Sequence, residues 1–84
     1  MNKLDSLKRK IKYRSEYRGI KEMDLILGSF VKKYVDSFSY EELLDLNEIL
    51  ENDDDLIFKW YSGRITSGIK ETRVSNLLKN FKLD

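Results

Sequence analysis

An all-α fold, a compact five-helix bundle forming a single domain over residues 1–84, is what this sequence predicts. Three observations predict it. The chain has no proline and only four glycines, so little in it interrupts a helix. Good helix formers (Leu, Lys, Glu and Arg) dominate its composition. Apolar residues recur at three- and four-residue spacing in one segment after another, and no segment alternates as a half-buried strand does.

The helices follow in order. In the first, Leu4, Leu7 and Ile11 share a stripe with Arg14, and the helix runs to about Tyr17 before Gly19. The second spans about Ile20 to Ser37, with Ile20, Met23, Leu27, Phe30, Val31 and Tyr34 on one face and Phe38 packing beyond its end. Burying each of these side chains stabilises the fold by roughly 1.5–3 kcal/mol, so the longest stripe is the expected spine of the core. Ser39 reads as an N-cap, with Glu42 three residues on completing a capping box. That third helix continues to about Glu51 and buries Leu43, Leu46, Ile49 and Leu50. Asp53 is a candidate cap for a short fourth helix whose inner face is Ile57, Trp60 and Tyr61 and whose stop is Gly63. Thr66 or Ser67 is expected to cap a fifth helix carrying Ile69, Val74, Leu77, Leu78 and Phe81, with the last few residues frayed.

Composition excludes several kinds of protein. There is no cysteine, so neither a disulfide scaffold nor a thiolate metal site is available. There is no histidine, which removes the commonest general base and zinc ligand. An 84-residue helical chain also has little room for a deep pocket, so a non-enzymatic protein is expected. No run is long enough to cross a membrane and no secretory signal pattern is present, so the expected location is the cytoplasm of a bacterium. Net charge is +1, but Glu41 to Asp55 holds eight acidic residues and no basic one, between basic flanks. Such separation suits steering toward a charged partner, or simple solvation of helix faces.

Two stretches carry possible chemistry. In Tyr17-Arg18-Gly19-Ile20-Lys21-Glu22-Met23-Asp24, Gly19 costs about 1 kcal/mol relative to alanine inside a helix, so it marks a helix boundary or a close approach of another backbone. Arg18 offers a five-donor fork suited to a carboxylate, phosphate or partner carbonyls. A local alternative stays open: Gly19 as N-cap, Glu22 at the third helical position reaching back, and an Arg18–Glu22 pair. The second stretch, from Glu51 to Trp60, clusters carboxylates, but it lacks the glycine turn and distal glutamate of a calcium loop. No metal is expected there, and Asp53 to Asp55 are accounted for by capping and the helix dipole.

Together, in this order, these stretches resemble the succinate dehydrogenase assembly factor 2 family, the SdhE-type flavinylation factors. The hallmark R-G-x-x-E-x-D stands here as Arg18-Gly19-Ile20-Lys21-Glu22-Met23-Asp24. Its context is Leu25, Ile26, Leu27 and Phe30, then Leu50-Glu51-Asn52-Asp53-Asp54, then Phe58 and Trp60. The similarity covers about Leu7 to Leu78. There are departures: Tyr17 replaces the first arginine of the usual pair, Asp55 the usual proline, and Leu56 the aspartate after it.

The resemblance implies a helical assembly factor that binds the flavoprotein subunit of succinate dehydrogenase, and possible service to fumarate reductase. It implies that the chain promotes covalent attachment of FAD to that partner without stably binding a cofactor itself. It implies a partner-binding surface of Arg18, Gly19 and Glu22 with Asp24 and Tyr17 at the rim; Asp53, Asp54 and Trp60 are expected to be structural, with secondary partner contacts there as the alternative. On this reading Arg18 and Glu22 hydrogen-bond across the interface, and replacing Arg18 leaves the helical fold intact. A free monomer is expected, with no nucleic acid and no membrane insertion. The alternative is a small helical nucleic-acid-binding or general protein-interaction module, suggested by the basic first helix (Lys8, Arg9, Lys10, Lys12, Arg14) and opposed by the near-neutral total charge.

Overall fold

Three of the five helices among the described residues begin where a side chain replaces a missing backbone partner, and the first shows this directly. In the computed structural model, which describes residues 2–16 and 18–83, Asn2 accepts a 2.8 Å hydrogen bond from the Asp5 amide and opens α1 (Lys3–Ser15). Ile11 is fully buried, and Leu4 and Leu7 pack against the same core. The helix stops short of the expected Tyr17, because Glu16 is already extended at φ −109, ψ 160. Tyr17 itself lies outside the described residues.

The second helix, α2 (Lys21–Tyr34), is shorter at its end than its stripe suggested. The chain turns after Tyr34, whose carbonyl accepts from both the amide and the hydroxyl of Ser37 and from the Phe38 amide. Met23, Leu27, Phe30 and Val31 are buried as expected. Ile26 and Val35, which lie off that stripe, join them. Phe30 is the centre of an aromatic group: its ring lies 4.8 Å from Tyr34 and 5.4 Å, edge-on, from Phe81. Tyr34 stacks on Phe38 at 5.4 Å. Such contacts add to burial because ring edges meet ring faces.

In α3 (Tyr40–Leu50) the capping box forms as read: the Glu42 amide donates to Ser39 Oγ at 3.2 Å and the Ser39 amide to Glu42 Oε1 at 2.9 Å. Leu43, Leu46, Ile49 and Leu50 are buried. Asp53 occupies the cap position of α4 (Asp54–Tyr61) with extended backbone, but its side chain makes no capping bond. Gly63 ends that helix as expected. At φ +84 it lets the Arg64 amide reach the Lys59 carbonyl at 2.8 Å and its own amide reach the Trp60 carbonyl at 3.2 Å, the paired bonds of a Schellman motif.

The fifth helix departs from expectation. Neither Thr66 nor Ser67 caps it; α5 is Arg73–Lys79, capped by Thr72 in a reciprocal box with Ser75. The reason is Gly68. Its φ of +101 is left-handed, and a Cβ there would lie 3.0 Å from Leu56 Cδ1, so the chain cannot be helical at that point. Ile69 is still buried, but from a loop. Around the core, α1 packs on α2 and α3, α3 on α5, and α2 on α4. No strand occurs among the described residues, and the chain is an all-α single domain. Among them no helix is long and apolar enough to cross a membrane.

Two outcomes follow. Gly63→Ala forces a Cβ into a left-handed position and is expected to cost about 1–2 kcal/mol, read as a fall in the thermal midpoint by differential scanning calorimetry. The Ser39 amide, aided by Arg73, holds the Glu42 carboxyl below its ordinary value. Its contribution is therefore complete above the unfolded carboxylate range and is lost as pH falls through the lowered folded value. Glu42→Gln is expected to flatten the acid side of a midpoint-against-pH profile.

Candidate functional site

The site is best built from two deficits. Helix α3 is acidic and has no basic residue in its last turn, so nothing of its own answers the partial negative charge of its terminal carbonyls. Helix α2 begins at Ile20, an N-cap residue with no polar side chain. The first need is met by a residue remote in sequence, and at the second the Ile20 amide finds its acceptor on another helix. Arg18, between α1 and α2, turns inward: Nη1 donates to the Leu50 carbonyl at 2.8 Å and Nη2 to the Asn52 carbonyl at 2.8 Å. A second Nη1 hydrogen goes to the Arg14 carbonyl at 2.8 Å, and Nε donates to Asp54 Oδ1. These bonds take four of the guanidinium's five N–H donors. The cation missing from the end of α3 is thus supplied by the α1–α2 junction.

Asp54, the first residue of α4, completes the arrangement. While Oδ1 holds Arg18, Oδ2 accepts from the Ile20 amide at 2.9 Å. It plays from another helix the part that a third-position glutamate plays in a capping box. The Arg18 amide donates to Asp24 on the first turn of α2. The Arg18 and Asp54 side chains are only 11% and 12% exposed, so the pair is largely shielded from water. Losing one partner of a shielded pair leaves an uncompensated charge.

This geometry changes the roles expected of several residues. Arg18 is committed to the protein's own backbone and to Asp54, and no Arg18–Glu22 pair or Gly19 cap forms. Asp24 is half-buried and bonded to Arg18 rather than standing at a rim. Trp60 keeps its expected place on the inner face of α4, 5% exposed, with Lys79 Nζ 5.2 Å from its ring. Asp53 and Asp55 are exposed, and Asp55 pairs with Lys59 at 3.0 Å. What the hub leaves facing outward is Gly19, Lys21 and Glu22, with Leu25 one turn on and 52% exposed. A Cβ on Gly19 would meet only Asp54 Oδ2, at 3.5 Å. The corner is therefore a low, side-chain-poor ledge beside a carboxylate that makes no ion pair among the described residues.

Sequence reasoning singled out Arg18 and Gly19 but missed that Asp54 joins them. The signals were there as deficits, an α3 without a terminal cation and an α2 without a cap, but not the address of the group that answers them.

Comparison with known proteins places the chain. A family model described as "Flavinator of succinate dehydrogenase" matches residues 9–82. A protein of Acetobacter pasteurianus named "FAD assembly factor SdhE" is 32% identical over 81 residues, covering 96% of this chain and 72% of its own. "Succinate dehydrogenase assembly factor 2, mitochondrial" of Debaryomyces hansenii is 34% identical over 80 residues, and the protein of the same name in Dictyostelium discoideum 35% over 60. The chain spans 54% and 43% of the length of these two mitochondrial relatives, and 95% and 71% of itself is covered. No solved structure gives a significant match. With residues 9–82 matched, the chain belongs to the family of flavinators of succinate dehydrogenase.

Proposed function

We propose that this chain binds the flavoprotein subunit of succinate dehydrogenase and promotes covalent attachment of FAD to it, as a cytoplasmic assembly factor rather than an enzyme. The observation that carries this reading is the ledge at Gly19 to Glu22 held rigid by the Arg18–Asp54 hub in a chain matched by the flavinator family over residues 9–82. The flavin and the residue it bonds to belong to the partner, and the flavin would supply the chemistry of its own attachment there. This chain's own residues bind and orient.

Gly19 allows a partner backbone to lie close, because no side chain projects there. Glu22 and the exposed part of Lys21 flank that contact with one charge of each sign. Arg18 and Asp54 act from behind: they fix the ledge relative to α3 and α4, so the partner meets a pre-ordered surface and less conformational freedom is lost on docking. Holding the partner's reacting groups in one geometry replaces a search over orientations, and well-oriented reactions gain up to about 7–11 kcal/mol in this way. Asp53 is exposed and open to a secondary partner contact. Asp54, Asp24 and Trp60 serve the partner only by holding the corner in shape.

The roles separate experimentally. Arg18→Ala strips the hub of its cation and is expected to destabilise the fold by about 3–5 kcal/mol, read from urea unfolding by circular dichroism; a variant as stable as the parent contradicts the hub. Gly19→Gln adds bulk without charge to an exposed position. It is expected to leave the unfolding curve in place while abolishing covalent flavin on a co-expressed flavoprotein, detected as in-gel flavin fluorescence. Normal flavinylation by Gly19→Gln would remove the ledge as the docking surface. Gly19→Ala is expected to be milder, since its Cβ makes only an ordinary 3.5 Å contact.

A further inference from the structure

A second glycine has no explanation within the fold. Gly28 lies in the middle of α2, where glycine is destabilising relative to alanine. Close packing of a neighbouring helix would justify it, but a Cβ built there meets only the Ser15 carbonyl, at 3.9 Å. That is ordinary contact distance, so the α1–α2 crossing accommodates alanine. Beside Gly28 lies an open groove of about 370 Å³ between the end of α1 and the middle of α2. Its floor is Val31 and Ser15, both 2% exposed, and the Ser15 hydroxyl is already satisfied by the Lys12 carbonyl at 2.8 Å. Lys12 and Lys32 stand at its edges with Glu16, two cations against one carboxylate. Neither lysine has an ion pair among the described residues.

The groove lies farther along the helix that begins at the ledge. Leu25, Gly28 and Lys32 follow one another at three- and four-residue spacing, which places them along one side of α2, with Glu22 one turn before Leu25. Gly28 is about 9 Å along the helix axis from Glu22. Along this side Leu25 exposes apolar surface, Gly28 removes bulk, and Lys32 ends the row with unpaired positive charge.

We infer that the groove beside Gly28 is a second docking surface for the same flavoprotein, taking an extended partner segment that lays its backbone over Gly28 and places a carboxylate between Lys12 and Lys32. This rests on the flavoprotein being the partner at Gly19. The bland account of each part is weaker than the sum: lysine in a last turn suits the helix dipole, and a lone surface leucine is common. Neither explains a mid-helix glycine that the fold does not need. Charge complementarity fixes the occupant's chemistry as acidic.

The test is calorimetric titration of the cognate apo-flavoprotein subunit with the full chain and its variants. Gly28→Ala is expected to raise the thermal midpoint by about 4–8 °C, as helix propensity requires, without tightening binding. Gly28→Leu fills the groove and is expected to raise Kd at least about tenfold with unchanged circular dichroism. Lys12→Glu and Lys32→Glu are expected to weaken binding severalfold at low salt, with the difference fading at high salt; should Gly28→Leu fail to fold, these two carry the test. If Gly28→Leu and both reversals bind like the parent while Gly19→Gln does not, the groove is overturned and the ledge survives. If the parent chain itself does not bind, the flavoprotein reading falls and takes the groove with it.

Discussion

The carboxylate of Asp54 holds the Arg18 guanidinium with one oxygen and the Ile20 amide with the other, and three helix ends depend on that arrangement. Through Arg18 the last carbonyls of α3 gain a cation that their own helix lacks. Through Ile20 the start of α2 gains an acceptor that its own cap residue cannot offer. Asp54 sits in the first turn of α4, where a negative charge is favoured by the dipole whatever else it touches. Shielding makes these bonds stronger than surface pairs and makes their loss more costly, because neither ion has water to fall back on.

From this hub comes the shape of the surface. Because Arg18 points inward, the corner outside it is bare at Gly19, and the next polar groups outward are Lys21 and Glu22. A motif whose arginine and glycine are neighbours in sequence thus has them facing opposite ways: one locks the corner, the other keeps it clear. A side chain so heavily engaged cannot also be the main hand offered to a partner. On the proposed reading, Arg18 and Asp54 serve docking by fixing where Gly19 and Glu22 lie, and the cost of that order is met when the chain folds rather than when it binds.

How much of this was legible depends on how local each signal is. The Ser39–Glu42 box, the Gly63 stop and the buried stripes of α2 and α3 are written within a few residues of where they act, and they were readable. The start of α5 was not. Ile69 fits a helical stripe by spacing, and only the packing of Gly68 against Leu56, twelve residues earlier, shows why the chain is a loop there. The inward turn of Arg18 was hidden for the same reason, since its partners at Leu50, Asn52 and Asp54 lie more than thirty residues away. Family resemblance singled out Arg18, Gly19 and Glu22, but it could not say which of them point outward and which hold the others in place.

The shape of the corner depends on the Arg18–Asp54 contact persisting in solution, and proton–nitrogen correlation spectroscopy of the Arg18 Nε–H reads it directly. A resolved cross-peak in slow exchange with water, lost together with protection of the Ile20 amide in Asp54→Ala, is the expected result. A side-chain signal that exchanges as freely as those of the exposed arginines in the parent protein would show that the guanidinium is not held, and would contradict it.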